Sequence, residues 1–355
     1  MRNEKIQIGV IYKFSDVYYQ VAHIIISFGG CNNNYFSFLI SYLKMLSFFA
    51  RLTLRLAAGV EGLDAQERQR IASFFRSRQD SSGGFTGRQG GADIYYTSFA
   101  VRGLGLLGEL DVPGLETYLV QKIEESREAS FSCTEMISLY FAAHLWEGAS
   151  GRTLLGDDMF QQLDRFRRSD GGYASSEKAA FSSTYHTFLV LGLQEHLVPD
   201  FPLDEEELYR FLQKRQRSDG GFVELEPLRH SGTNPTVAGL GLLACLRDRT
   251  VSAPLREKAL RYLKGCQTPD GGFQANKRIP TADLLSTFTA LSMFYEAEYE
   301  DQINLAAARN FVQSLKREVP DGLGYVGGPW DHEPDVEYTF YGLAADCLIK
   351  QVAGQ

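Results

Sequence analysis

The sequence predicts an all-α fold: an α/α toroid of about six helical-hairpin repeats. Three observations predict it. A Gly-Gly-aromatic triplet recurs at Gly83-Gly84-Phe85, Gly171-Gly172-Tyr173, Gly220-Gly221-Phe222 and Gly271-Gly272-Phe273, with a degenerate copy at Gly322-Leu323-Gly324-Tyr325. The spacings are 88, 49, 51 and 51 residues, and the first gap has room for one more, worn unit around Phe131 to Glu135. A period of this length marks a repeat architecture. A threonine lies 14 to 17 residues after each glycine pair (Thr97, Thr187, Thr236, Thr287, Thr339) and opens an apolar run such as Thr236 to Leu243. Charged, amphipathic segments such as Leu203 to Arg215 and Ala253 to Lys264 alternate with those runs.

Each part of the unit has a physical reason. The amphipathic segments read as outer helices with one wet face. They end in an aromatic-apolar-x3-Gln pattern, as in Phe74 to Gln79, Phe211 to Gln216 and Tyr262 to Gln267. Asp170, Asp219 and Asp270 stand directly before the glycines. Asp bonds its own backbone and Gly takes positive φ without strain, so Asp-Gly-Gly is turn chemistry. The runs after the threonines are apolar nearly all round and therefore buried. One unit cannot bury both faces of its inner helix, whereas six closed in a ring can. An open superhelical solenoid shares the same periodicity.

Composition bounds the function. The chain has 355 residues, 44% hydrophobic, with a formal net charge of -8. That excludes a disordered chain, and an acidic balance argues against nucleic acid as a partner. Five scattered cysteines with no CxxC pair read as free thiols in a reducing, cytoplasmic compartment. Residues 1–44 carry a net +2 and are expected to form an extension: a poorly ordered segment with Met45 as the natural start, or a surface that binds membrane or a partner. Its apolar runs are shorter than the ~18–20 residues of a membrane span, so no transmembrane segment is expected. Residues 45–355 form the toroid domain.

The inner-helix starts hold the candidate site. Asp93, Ser183, Asp283 and Asp335 stand four places before a threonine. Asp and Ser are favoured N-caps, and that role is one reading of them. Repeat symmetry also points these N-termini at one rim, where helix dipoles favour an anion such as a diphosphate. Tyr96, His186, Pro235, Ser286 and Tyr338 directly precede the threonines and are candidates for the rim. Ordinary packing competes with that role for the tyrosines, and a buried, hydrogen-bonded imidazole competes with a base for His186.

The motif aromatic-Leu-x3-Gln-x3-Gly-Gly-Phe resembles the glutamine–aromatic repeat of the terpenoid cyclase and protein prenyltransferase superfamily. The likeness is to β subunits of protein prenyltransferases, especially the geranylgeranyl type II kind, over about residues 61 to 350. The resemblance implies transfer of an isoprenyl group from its diphosphate, an α-type helical-repeat subunit as partner, and a protein substrate. It implies diphosphate contacts from His230, in the His230-Ser231-Gly232 segment, and from Lys277 and Arg278. Tyr96, His186 and Trp330 would then line the isoprenoid pocket, with Asp283 and Tyr338 at the catalytic position. The family's zinc ligands are another matter. Asp283 matches one of them, but the cysteine position is Leu285 and the histidine position is Tyr338. A zinc site needs three protein ligands or more, so zinc is disfavoured and magnesium at the leaving group becomes the alternative. The Asp-x-Asp-Asp acid of class II cyclases is absent, and Asp157-Asp158 lacks the third carboxylate of the other cyclase class. Three readings follow: a prenyltransferase-like enzyme, a non-catalytic toroid that binds an isoprenoid or a protein, and a terpenoid cyclase-like enzyme.

Overall fold

A computed structural model describes residues 46–128, 131–156, 158–198, 202–247 and 249–353. The expected extension 1–44, Cys31 and Asp157 lie outside the described residues. Helix α1 (Phe48–Val60) precedes six hairpins of one outer and one inner helix. These are α2 (Ala65–Ser77) with α3 (Ile94–Leu106), α4 (Leu115–Glu128) with α5 (Cys133–Ser150), and short α6 (Met159–Leu163) with α7 (Thr184–Leu197). They continue with α8 (Glu205–Arg215) and α9 (Thr233–Ala244), α10 (Arg249–Lys264) and α11 (Leu284–Glu296), and α12 (Leu305–Ser314) and α13 (Val336–Ala353). Two small antiparallel pairs, β1 (Phe273–Gln274) with β2 (Ala282–Asp283) and β3 (Lys316–Val319) with β4 (Gly322–Tyr325), tie connecting loops together.

The inner helices form a closed ring. α3 packs on α5, α5 on α7, α7 on α9, α9 on α11, α11 on α13, and α13 returns to α3. That last contact decides for the toroid over the open solenoid. The worn unit is α4–α5, where the glycine turn is replaced by a capping box between Ser132 and Glu135.

The repeat motif proves to be a set of bonds. The backbone N–H of each motif aromatic donates to the threonine hydroxyl: Phe85 to Thr97 (2.9 Å), Tyr173 to Thr187 (2.8 Å), Phe222 to Thr236 (2.9 Å), Phe273 to Thr287 (2.9 Å) and Tyr325 to Thr339 (3.1 Å). The motif glutamine ties its own turn to the N-terminal part of the next outer helix. Gln216 Nε2 donates to Gly220 O (2.9 Å) and Leu255 O (2.8 Å), and Gln267 does the same to Gly271 O and Asn304 O. The first glycine of the pair has φ near +90°, as at Gly271 (φ +95°), where a Cβ would also come within 2.1 Å of the Ala307 backbone. The turn thus sits directly on the next outer helix, and only glycine meets both demands.

Adjacent units share a second bond. The first N–H of an inner helix donates to the following unit's loop: Cys133 to Ser175 O, Thr184 to Glu224 O, Thr233 to Ala275 O and Leu284 to Gly327 O. At the seam between last and first units an ion pair takes over. Arg88, in the first unit's loop, reaches Asp335 at the start of α13. On the outside, β4 packs on α2, and Lys316 pairs with Glu67 of α2 and with buried Asp346 of α13 (2.8 Å).

Helix α1 is an addition that the repeat did not announce. It packs on α13, α7, α11 and α3. Arg51 pairs with Glu296 at the end of α11 (2.6 Å), Ser47 Oγ bonds His196 Nδ1 near the end of α7 (2.9 Å), and Gly59 lies against Cys347. α1 therefore crosses the mouth at which the inner helices finish. The opposite mouth, where they begin, carries the predicted rim. No described helix is long and apolar enough to cross a membrane.

Candidate functional site

The rim is built by the N-caps. Asp93 accepts from the Tyr95 and Tyr96 N–H groups, Ser183 from His186, Asp283 from Ser286, and Asp335 from Tyr338. At three of these helix starts the favourable anion is thus the chain's own carboxylate. Pro235, the fourth-unit rim position, is followed by Thr236 inside α9, which starts after Gly232 with no side-chain cap.

Beneath the rim stand acids and aromatics. Arg88 grips Asp331 through both Nη atoms (3.0 and 2.5 Å) and Asp335 through Nε (2.9 Å), and lies over the Tyr338 ring at 5.9 Å. The Tyr95 hydroxyl donates to Glu337 Oε1 (2.7 Å). Burial holds the Glu337 carboxyl above its ordinary value, against the Tyr95 bond that favours its charged form. Burial likewise raises Asp335 despite the Tyr338 N–H and Arg88, and raises Asp283 despite its bonds from Ser286. Tyr338 is pushed up to about 12 by burial and by the charges of Glu337, Asp335 and Asp283.

The lumen below is aromatic. Tyr95 packs edge-on to Phe99 (5.0 Å), Phe99 to Tyr341 (5.2 Å), and Phe288 stacks on Tyr341 (5.4 Å) beside Phe340. Rings of the three neighbouring inner helices α3, α13 and α11 meet here. Tyr185 and Arg102 keep part of their surface free although protein surrounds both, which marks an internal space.

The predicted site residues divide into two groups. Asp283, Tyr338 and Tyr96 stand at the rim among these acids. His186 is half-buried between α7 and α5, with Nδ1 on Ser183 Oγ (2.7 Å) and Nε2 on Thr134 Oγ1 (3.0 Å). Burial drops it to about 4, so it is neutral at pH 7 and both nitrogens are engaged. That is the satisfied histidine rather than a free base. The other group lies on the outer lip. His230, Lys277 and Arg278 are exposed. Lys277 is turned outward: its Nζ lies 4.6 Å from the ring centroid of Tyr262 on α10. The Tyr262 hydroxyl donates to Ser231 O (2.7 Å), so the loops of His230 and Lys277 are neighbours. The β1–β2 hairpin holds Lys277 and Arg278 on its loop and Asp283 at its base, and neither cation acts on the Asp283 carboxyl. Trp330 is corrected more firmly: it is 57% exposed with its ring against Gly328, because it sits on a surface turn before Asp331 rather than in the lumen wall.

Sequence reading missed Arg88, Tyr95, Asp331 and Arg102. Only Arg102 had a signal, as the one charge inside the apolar run Thr97 to Leu107. For a family-type zinc the donors do not fit. Asp283 is flanked by Leu285 and Tyr338 at the other ligand positions, and among the described residues no group of three or more His, Cys, Asp or Glu could hold a metal ion.

The prenyltransferase α/α-toroid domain family matches residues 31–232 and 173–355, and the chain belongs to that family. No curated protein sequence matches the chain significantly. Among solved structures it is similar to a Candida albicans protein geranylgeranyltransferase-I complexed with GGPP, at 13% identity and a TM-score of 0.62, covering 78% of this chain and 90% of that one. It is also similar to a protein from Actinoplanes (17%, TM-score 0.55, 82% and 99% covered). A third is a type II terpene cyclase from Scytonema in complex with geranylgeranyl dihydroxybenzoate (13%, TM-score 0.54, 86% and 99% covered). At these identities the likeness is one of fold.

Proposed function

We propose that this chain binds an isoprenoid in the aromatic lumen beneath its rim, as a prenyltransferase β-like toroid, and that it holds or transfers that group without a metal-held thiolate. The observation that carries the reading is the aromatic layer of Tyr95, Phe99, Phe288, Phe340 and Tyr341 inside a closed ring. Such a lining suits an unsaturated hydrocarbon chain, whose burial contributes about 0.8 kcal/mol per CH2. Exposed Arg278, with the His230 ring as a hydrogen-bond donor beside it, stands on the lip for a diphosphate that remains in water, and Lys277 joins them on leaving Tyr262. Magnesium on that diphosphate, an α-type helical-repeat partner, a protein acceptor and a cytoplasmic location belong to the same reading. The free cysteines Cys133, Cys245, Cys266 and Cys347 accord with a reducing compartment.

Glu337 favours a second reading, chemistry started by a proton. Its carboxyl is buried, kept towards the neutral form, bonded by Tyr95 on one oxygen and placed next to the aromatic layer. A neutral acid there can give its proton to an isoprenoid double bond and take one back from the resulting cation.

The test is equilibrium binding of labelled geranylgeranyl diphosphate and of geranylgeraniol. The first reading expects both to bind, and expects Arg278→Ala with His230→Ala to weaken only the diphosphate. Failure of both ligands to bind the folded protein would sink it. Glu337→Gln separates the two readings, since it spares binding and abolishes turnover of an isoprenoid only where the acid starts the reaction.

A further inference from the structure

At the mouth opposite the rim, α1 leaves part of the opening uncovered. A cavity of about 1000 Å³ lies there between α1 and the ends of α3 and α5, at the upper end of the ~300–1,000 Å³ typical of small-molecule sites. Its wall is mostly apolar, with Phe49, Leu52, Leu106, Leu110, Phe141 and Trp146 among its residues. Its deep end is Arg102 beside Phe340. The Arg102 guanidinium lies 4.1 Å from the Phe340 centroid, 5.5 Å from Phe99 and 5.8 Å from Phe141. Among the described residues it has no carboxylate at ion-pair distance and no hydrogen bond, and its guanidinium lies against these three rings.

An enclosed, half-buried cation without a partner loses part of its hydration, and three ring faces offset only part of that loss. Five N–H donors are left for a planar anion, and a carboxylate meets that fork with two parallel bonds. The charge count sets the class. The histidines on the same wall, His144 and His196, are both driven neutral by burial, His196 to about 4. At the outer end Arg152 already pairs with Glu116 (2.6 Å), and the other carboxylate of the wall, Asp111, is exposed to solvent there. One unpaired positive charge at the closed end of an apolar cavity calls for one negative charge on an apolar tail. A diphosphate carries too many charges for it.

We propose that this cavity binds a long-chain monocarboxylate, head inward on Arg102 and tail along α1, α3 and α5. The site opens at the other mouth and recognises a different head group, while its inner end shares Phe99 and Phe340 with the aromatic layer of the isoprenoid reading. The tail's source, a straight acyl chain or a branched isoprenoid acid, is set by the arms of the test.

Trp146 lines the cavity, and Trp330 is the chain's other tryptophan, so a Trp330→Phe background isolates the reporter. Titrations with oleate, geranylgeranoic acid and oleyl alcohol would follow Trp146 emission in the full chain. At least one acid is expected to saturate at one equivalent, and oleate to bind at least about tenfold tighter than oleyl alcohol. Arg102→Met keeps the stem and removes the charge. It is expected to bring each acid down to the affinity of the alcohol, to leave the alcohol unchanged, and to leave the unfolding temperature of the free protein equal or higher. The tighter of the two acids identifies the tail. Acid and alcohol binding equally, an acid preference that survives Arg102→Met, or no binding by the folded protein would each overturn the proposal. A fall in unfolding temperature without loss of acid preference would show Arg102 to be a packing residue.

Discussion

Thr97, Thr187, Thr236, Thr287 and Thr339 perform one task at five places, accepting the N–H of a buried aromatic residue 12 to 14 positions earlier. Thr236→Val removes the acceptor at nearly constant shape and leaves the Phe222 N–H unpaired in the core. The cost expected is about 1–3 kcal/mol, read as a lower urea midpoint. A glycine pair offers a sharper contrast. Gly271→Ala adds a methyl at φ +95° and 2.1 Å from the Ala307 backbone, whereas Gly90 has φ +86° with open space around it. Gly90→Ala is expected to cost about 1–2 kcal/mol, the left-handed penalty alone. Gly271→Ala should cost several times more, and equal losses in the two variants would contradict the docking of the turn on α12. The aromatic, the glycines and the threonine were all legible as a repeat. Their bonds were not, because a spacing records that two residues recur together and not which atoms meet.

Six hairpins were legible because each leaves a turn, a cap and an apolar run in the chain, and even the worn unit kept a capped start at Ser132. Helix α1 left no such trace. Its apolar face is filled by contacts with four different helices, so no repeat partner marks it. The seam was equally silent, since Arg88 and Lys316 pair with carboxylates more than 240 residues away. Lys316 holds Glu67 and the 1% exposed Asp346. Lys316→Met should leave Asp346 an unpaired buried charge and cost about 3–5 kcal/mol. Adding Asp346→Asn is expected to recover part of that loss, and the recovery is what separates charge from packing in a double-mutant cycle.

For the whole molecule, closure of the ring places two kinds of titrating group in enclosed surroundings, and they act oppositely with pH. His186 and His196 sit at about 4 in the fold against an ordinary 6.5. The unfolded chain therefore binds more protons between those values, and the stability they confer is full above about 6.5 and lost as pH falls through about 4. Each accounts for up to about 3 kcal/mol across that window. Asp283, Asp335, Glu337 and Glu224 are raised instead, so their share is full at acid pH and lost as pH rises through their folded values. His186→Gln with His196→Gln should flatten the fall in urea midpoint between pH 7 and pH 5.

The site was less legible than the ring for the same reason of scale. Asp283, Tyr338 and Tyr96 were found because the repeat marks helix starts, while Lys277 and Trp330 were assigned from loop order, which does not say which way a side chain turns. Leu285 and Tyr338 still carry the central claim, an isoprenoid held by aromatic residues in a closed ring with no metal-held thiolate. The most direct measurement is binding of labelled geranylgeraniol to the purified chain in excess EDTA, with Phe288→Ala as the lumen variant and its thermal unfolding followed in parallel. The account predicts saturable binding unaffected by EDTA and weakened at least about tenfold in a folded Phe288→Ala. Binding that appears only when zinc is restored, or that ignores Phe288, would contradict it.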